Sequence, residues 1–375
     1  MQLSPGATIG VIGGGQLGRM LILECRRMGY VTAVIDPDLS GPAAQVSDLV
    51  FPPERIEGFL TACQVATYEF EHVDMDMVKE IERRLPVLPP AGILEIKRTR
   101  ISEKTYLSKK GFPVSPFQIF QQGDDITPER LGFPLVLKTS AGGYDGKGLY
   151  VVKTEAELEA ARGQLTGEVI AERFIPFVKE ISVMCARDVR GNISLYPPSE
   201  NVHDGGILLH TMAPATLTEQ ENTLAREITA DLADTLGLIG LVGLEMFLLS
   251  DGRILINEFA PRPHNSGHFT MDGCNISQFE MLIRVLCGLP LEQPELLCPT
   301  AMLNILGTDP ATLPWPEILS PSGVKRHLYG KKEARNRRKM GHLNILASTT
   351  GELQEKLRIL KELLYPIETI RPITA

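Results

Sequence analysis

The sequence predicts a chain that mixes α/β and α+β architecture in two to three packed units, and three observations carry that expectation. Its 375 residues exceed what one typical core holds. Its first hundred residues alternate short apolar runs with helical periodicity, the order of a doubly wound parallel sheet. Further on, residues 243–259 (GLEMFLLSDGRILINEF) read as an antiparallel hairpin with Asp-Gly at its tip.

The elements follow in order. Residues 7–14 (ATIGVIGG) form a buried strand, Gln16–Met28 a helix ended by Gly29, and 31–36 and 65–70 two further strands. Val73–Leu85 is helical, and PVLPP at 86–90 marks a boundary. One helix is expected over Leu94–Lys110, stopped by Gly111 and Pro113. Strands at 133–138 and 149–153 flank a glycine-rich loop, and Glu155–Gln164 is a helix. The runs VIAERFI and EISVMCARD read as neighbouring strands, and Thr218–Leu236 as a long amphipathic helix. From about 296 the chain is proline-rich, then basic, then helical over Glu352–Leu364.

Composition narrows the function. A net charge of -8 argues against general nucleic-acid binding. No apolar run approaches 18 residues, and no leader pattern opens the chain, so a cytoplasmic location is expected. The six cysteines form no CxxC pair and suit free thiols in a reducing compartment.

Two glycine loops and one hairpin carry chemistry. Gly13-Gly-Gly15-Gln-Leu-Gly18 fits GxGxxG, with Asp36 ending the next strand. Bare amides at a helix N-terminus make this a phosphate-grade site, or else a tight turn of any doubly wound domain. The second loop, Gly142–Gly148, has four glycines in seven residues and can fold over a phosphate chain. Lys138, at the end of the strand before it, suits a phosphate as a point charge. If Asp251-Gly252 is a two-residue turn, Ser250 faces Arg253, Leu248 faces Leu255, Met246 faces Asn257, and Glu245 faces Glu258. Two facing carboxylates are unfavourable unless neutralised, and an all-oxygen pair suits Mg²⁺ (Mn²⁺ being the alternative) with substrate phosphates. Glu172 and Glu180 are candidates for adenine and ribose contacts. Lys325–Lys339 holds eight Lys or Arg and one Glu, a local anion attractor in an acidic chain.

In that order, a strand lysine, a glycine-rich loop, two glutamates and a hairpin acid pair resemble the ATP-grasp superfamily. GGGQLGRM, KTSAGGYDGKG (138–148), NEFAPRPHNSGH (257–268) and YGKKEARNRRKMGH (329–342) narrow the likeness to its N5-carboxyaminoimidazole ribonucleotide synthetase family, across nearly the whole chain. The resemblance implies three parts: an N-terminal doubly wound domain (1–92), a central ATP-grasp unit (93–295, with a small lid at about 112–178) and a C-terminal domain (296–375). It implies a ligase that carboxylates 5-aminoimidazole ribonucleotide with ATP and bicarbonate, by way of carboxyphosphate, in a homodimer. Arg100 and Lys138 would meet the ATP phosphates under a lid of Gly143, Tyr144, Asp145, Gly146, Lys147, Gly148 and Leu149. Glu172 and Ile175 would face adenine, Glu180 the ribose, and His203 and Asn257 the nucleotide's surroundings. Glu245 and Glu258 would hold the metal. Tyr144, Asp145 and Lys147 would meet the imidazole, and Arg262 and His264 bicarbonate. Lys331 and Arg338 would take the ribonucleotide phosphate, Glu71 (less surely Glu69) its ribose, with Gln16 facing it. Asp145, Arg262, His264 and Lys331 are the expected catalytic set. Ala260 departs from the asparagine that many ATP-grasp enzymes carry there, which touches the metal shell. A formate-using purine ligase, a dinucleotide dehydrogenase and a turnover-free nucleotide-binding scaffold are the rivals.

Overall fold

The structure, a computed structural model, describes residues 2–121, 124, 126, 131–140, 148–165 and 167–365. The N-terminal part runs β1 (Thr8–Ile12), α1 (Gln16–Arg27), β2 (Val31–Ile35), β3 (Leu49–Phe51), α2 (Ile56–Ala62), β4 (Val65–Tyr68), α3 (Met75–Glu82) and α4 (Ala91–Lys97). Its sheet has the order β3-β2-β1-β4, all parallel. Apolar layers cover both faces, so β1 is buried along its whole length. Gly10 lets α2 lie close, since a Cβ there would stand 2.5 Å from the Phe59 ring.

The helix expected over Leu94–Lys110 is two helices. α4 ends at Lys97, and α5 (Arg100–Lys109) begins with Thr99 as N-cap, where Thr99 and Ser102 exchange hydrogen bonds in a capping box. A four-stranded antiparallel sheet follows, built from β5 (Phe117–Phe120), β6 (Leu135–Thr139), β7 (Leu149–Val152) and β8 (Val169–Arg173) in the order β5-β8-β6-β7. Helix α6 (Glu155–Arg162) covers it.

The second sheet collects β9 (Phe177–Arg187), β10 (Ile193–Leu195), β11 (Ser199–Asp204), β12 (Ile207–Ala213), β13 (Gly240–Leu249), β14 (Ile254–Ala260), β15 (Thr300–Leu306), β16 (Val324–Leu328) and β17 (Lys339–Leu346). Its order is β14-β13-β9-β11-β12-β15-β17-β16, with β10 on β9. The C-terminal strands therefore extend the central sheet through the β12–β15 pair. The helices between and after these strands are α7 (Glu219–Thr235), α8 (Thr270–Gly273), α9 (Gln278–Leu286), α10 (Trp315–Ile318) and α11 (Thr350–Leu364). Helix α7 packs on one face beside β9, β13 and β14, while α9 packs on the other and also touches α1.

Strands β8 and β9, expected as neighbours, lie in different sheets. The link at 174–176 contains Pro176, and the chain leaves one sheet for the other there. Five cysteines are buried and Cys298 is half-buried, all of them free thiols. Among the described residues no helix is long and apolar enough to cross a membrane.

Candidate active site

The GxGxxG loop opens α1 as expected, with Gly13 at φ 105. Its amides are not bare. Gly14 N–H donates to Asp36 Oδ2 at 2.7 Å, and Gly15 and Gly18 N–H donate to the two Glu69 carboxylate oxygens at 2.9 and 3.1 Å. The chain supplies its own anion to the helix N-terminus, which removes the pyrophosphate socket a dehydrogenase would need. Burial raises the Glu69 carboxyl despite those two amides. Glu69 is thereby a structural cap, and Gln16 remains on the first turn of α1.

The hairpin places Glu245 opposite Glu258, though by another route than a two-residue turn. Leu248 pairs with Ile254, Phe247 with Leu255 and Met246 with Ile256, so the tip is one residue longer than expected. Leu249 N–H closes it on the Arg253 carbonyl at 2.9 Å. A bulge at Asn257 then shifts the register by one residue, and the two offsets cancel before Glu245. The Asn257 carbonyl accepts from Lys104 Nζ at 3.2 Å.

The facing carboxylates differ in surroundings. Glu258 Oε2 accepts from Lys97 Nζ at 3.0 Å, and that ammonium holds the carboxyl well below its usual range. Glu245 Oε1 is buried without a hydrogen-bond partner, and His264 Nδ1 stands 3.7 Å from it. Burial, reinforced by the neighbouring acids, pushes Glu245 up to about 7. Among the described residues no cluster of three or more His, Cys, Asp or Glu gathers as a complete metal cage. The pair itself fits Mg²⁺, which is usually held by one or two carboxylates with phosphate oxygens completing its shell.

Buried lysines surround this pair. Lys97 also donates to Glu103 Oε2 at 2.8 Å, and Glu103 Oε1 accepts the Phe259 N–H at 2.7 Å, which fixes β14 against α5. Glu172 accepts from Lys138 Nζ at 2.7 Å and from the Ser115 hydroxyl, and pairs with Lys104 at 3.1 Å. Burial alone would raise Glu172, but the two ammonium groups hold it far below the carboxylate range. Lys138 is lowered by its burial and by Lys104, an effect its Glu172 partner only partly offsets. Lys138 lies on β6 opposite Leu149, with Gly148 at φ 67 just before β7. The Arg100 N–H donates to the Ser140 carbonyl at 3.1 Å, which brings α5 to the mouth of the second glycine loop.

Glu180 lies on β9 beside Asn201 and Phe247, and its carboxylate meets His203 Nδ1. Burial would lower the His203 imidazole, yet that carboxylate raises it. Ile175 is half-buried in the link between the two sheets. Gly143, Tyr144, Asp145, Gly146 and Lys147 lie outside the described residues.

Arg262 and Glu71 form a buried two-pronged ion pair, Nε to Oε2 and Nη2 to Oε1, the latter at 2.7 Å. Burial would raise Glu71, but Arg262 draws it down to about 2. His264 Nδ1 accepts from the Ser266 N–H at 3.3 Å and lies 2.8 Å from the Ser266 hydroxyl. Burial, then Arg262, lowers His264 to about 3. It is therefore a neutral imidazole with its proton on Nε2.

Lys331 Nζ donates to the Lys339 carbonyl at 2.7 Å, and Arg338 donates to the Glu333 carbonyl at 2.9 Å. Their loop reaches the N-terminal sheet domain, with Lys332 Nζ 2.5 Å from Ser40 Oγ and Gln45 donating to the Gly330 carbonyl at 2.9 Å. Sequence reasoning passed over Lys97, Glu103, Lys104 and Ser115. An acid and two lysines near helix ends read as solvated, and only their burial separates them from ordinary surface charge.

Comparisons with known proteins agree across the chain. Residues 6–98 match a ribonucleotide synthetase preATP-grasp domain, 105–279 an ATP-grasp domain, and 300–356 a phosphoribosylaminoimidazole carboxylase C-terminal domain. The N5-carboxyaminoimidazole ribonucleotide synthase of Bacillus subtilis is 40% identical over 357 residues, covering 93% of each chain. An N5-carboxyaminoimidazole ribonucleotide synthetase solved with ADP superposes with a TM-score of 0.92 at 41% identity, over 96% of this chain and 97% of that one. An Aspergillus clavatus enzyme in complex with ADP and 5-aminoimidazole ribonucleotide gives 0.88 at 30% identity, over 97% and 100%.

Proposed function

This chain belongs to the N5-carboxyaminoimidazole ribonucleotide synthase family, and we propose from that membership how its own residues perform the reaction. It is an ATP-grasp ligase that converts 5-aminoimidazole ribonucleotide, bicarbonate and ATP into N5-carboxyaminoimidazole ribonucleotide, ADP and phosphate in purine biosynthesis. The observation that carries the site assignment is the facing pair of buried Glu245 and half-buried Glu258, with Glu245 Oε1 lacking a hydrogen-bond partner.

A bicarbonate oxygen attacks the γ-phosphorus of ATP, the bond to the bridging oxygen breaks, and ADP leaves. The resulting carboxyphosphate splits into CO₂ and phosphate. The exocyclic amine of the ribonucleotide then forms a bond to the CO₂ carbon and loses a proton. Lys138 and Arg100 hold the nucleotide's phosphates, as point charge and fork respectively. Glu172 and Ile175 face adenine, Glu180 the ribose, and His203 and Asn257 flank the nucleotide. Mg²⁺, held by Glu245 and Glu258, would neutralise phosphate charge. Lys97, bonded to Glu258, keeps that carboxylate ionised. The His264 Nε2–H is a donor and suits a bicarbonate oxygen; a role as proton acceptor there conflicts with its protonation. Arg262 and Glu71 act together: Glu71 engages Nε and Nη2, and the Pro263 carbonyl accepts from Nη1, so the guanidinium is fixed with two N–H groups left for the anion.

Lys331 and Arg338 take the ribonucleotide phosphate, with Gln16 facing the sugar. Gly143 to Leu149 would serve as the lid over both ligands, with Tyr144, Asp145 and Lys147 meeting the imidazole and Asp145 in the catalytic set. Shielding carboxyphosphate from water is the purpose of that closure. The working division is 1–92, 93–295 and 296–375, the assembly a homodimer, and the location the cytoplasm.

The test is ADP release from Mg-ATP and bicarbonate, with and without 5-aminoimidazole ribonucleotide. Strong stimulation by the ribonucleotide supports the reading. Stimulation only by another amine or acid keeps the nucleotide site and changes the substrate. ATP binding with no release under any condition would leave a scaffold.

A further inference from the structure

We propose that Gln278 is a positioning residue that clasps the His264–His268 segment and holds the His264 imidazole for the bicarbonate half of the reaction. The inference rests on the placement of His264 by bicarbonate given above.

Gln278 is the first residue of α9 and is fully buried. Its carboxamide forms a ring of hydrogen bonds with one residue's backbone: Oε1 accepts the His264 N–H at 2.8 Å, and Nε2 donates to the His264 carbonyl at 2.8 Å. The second N–H of Nε2 meets His268 Nδ1 at 2.9 Å. Both amide protons and the oxygen are thus spent on the two histidines of HNSGH. That contact makes His268 Nδ1 an acceptor and puts its proton on Nε2.

The clasp is anchored from behind. The Gln278 N–H donates to Thr270 Oγ1 at 2.9 Å, and that hydroxyl donates to the Gly267 carbonyl at 2.7 Å. It is also closed from the front. A Cβ on Gly267 would lie 2.6 Å from Gln278 Oε1 and 2.9 Å from Met184 Cγ. A Cβ on Gly243 of β13 would lie 2.7 Å from His264 Cβ. His264 is therefore wedged between the strand that carries Glu245 and a side chain that grips both its backbone groups. With the backbone fixed, its Nδ1 is held on Ser266 and 3.7 Å from Glu245 Oε1, so the ring stands against the acid pair. A plain core glutamine would satisfy two or three scattered groups. Here all its valences converge on one segment, which is what orienting a reacting group requires.

A misplacement of a positioned group by about 1 Å can cost on the order of 10²-fold in rate. The test compares Gln278→Met, which keeps shape and removes every hydrogen bond, with His264→Ala and the double variant. Product formation, KM for ATP and for bicarbonate, and thermal unfolding are measured on each. The expected result is a fall in kcat of about 10- to 100-fold for Gln278→Met, on the order of what such a misplacement costs, with KM for ATP unchanged. The double variant should be no slower than His264→Ala, because the clasp acts only through that imidazole. Should Gln278→Met not fold, Gly267→Ala displaces the same carboxamide and carries the same expectation. Additive losses, a KM for ATP that rises with the fall in kcat, or full activity in Gln278→Met would each overturn the clasp. A wild-type protein that forms no carboxylated ribonucleotide would instead overturn the function on which it rests, and His264→Ala with unaltered turnover would overturn the placement of His264.

Discussion

Replacing Glu245 by glutamine should make the metal-free protein more stable and the enzyme inactive. In the fold, burial raises this carboxyl from 4.5 to about 7. A folded value above the unfolded one means that stability is full below pH 4.5 and declines as pH rises through 7. At about 1.4 kcal/mol per tenfold change in proton affinity, the cost above pH 8 approaches about 3 kcal/mol. Water entry reduces it, so a gain of about 1–3 kcal/mol is expected for Glu245→Gln at pH 8.5 with a chelator present. The comparison is urea unfolding of variant and wild type, in which the remaining titrations cancel. The gap should shrink to under about 0.5 kcal/mol near pH 4.5, where both forms are neutral. Mg²⁺ with nucleotide should stabilise the wild type and leave the variant nearly unmoved, and ADP release should fall on the order of 10²-fold or more. A variant less stable than wild type at pH 8.5, or a gap independent of pH, would refute the argument that Glu245 is held ionised at a cost for the sake of a metal.

Lys97→Met strands buried Glu103 and removes the cation beside half-buried Glu258; the metal-free protein should lose about 3–5 kcal/mol in urea unfolding, chiefly through Glu103, and Mg²⁺ should raise its unfolding temperature more than it raises that of the wild type. Lys104→Met takes one of two ammonium partners from buried Glu172 and should cost about 2–4 kcal/mol, with a raised KM for ATP in steady-state assays. Lys331→Ala and Arg338→Ala should raise KM for the ribonucleotide and leave KM for ATP alone, with the difference from wild type narrowing as salt is added.

The sequence exposed the acid pair because two glutamates inside apolar strand runs cannot both be surface residues. It exposed the pairing for a reason that was half right. The longer tip and the Asn257 bulge both escape pattern reading, and they offset each other only beyond Met246. The division of Leu94–Lys110 had a signal in Thr99 and Ser102, yet a Thr-x-x-Ser box is weaker than the usual pairing with glutamate. The placement of β8 and β9 in separate sheets had none, since strand patterns carry no address for a partner. Lys104 reaches Glu172 over a sequence separation that only the folded chain closes. Gln278 was illegible for the same reason: a glutamine on an amphipathic helix shows its role only when its partners, ten and fourteen residues upstream, are seen to converge on it.

The cap that Glu69 places on α1 also bears on the cell around the enzyme. A free phosphate ester reaches a helix N-terminus at its bulk concentration. Glu69 is delivered by the polypeptide itself, at an effective concentration far above that of any metabolite. To enter, a soluble anion must displace a tethered rival and leave a buried carboxylate stranded. An enzyme whose own substrates bear phosphates, working among many other phosphorylated small molecules, thus has one attractive socket fewer to be blocked by them.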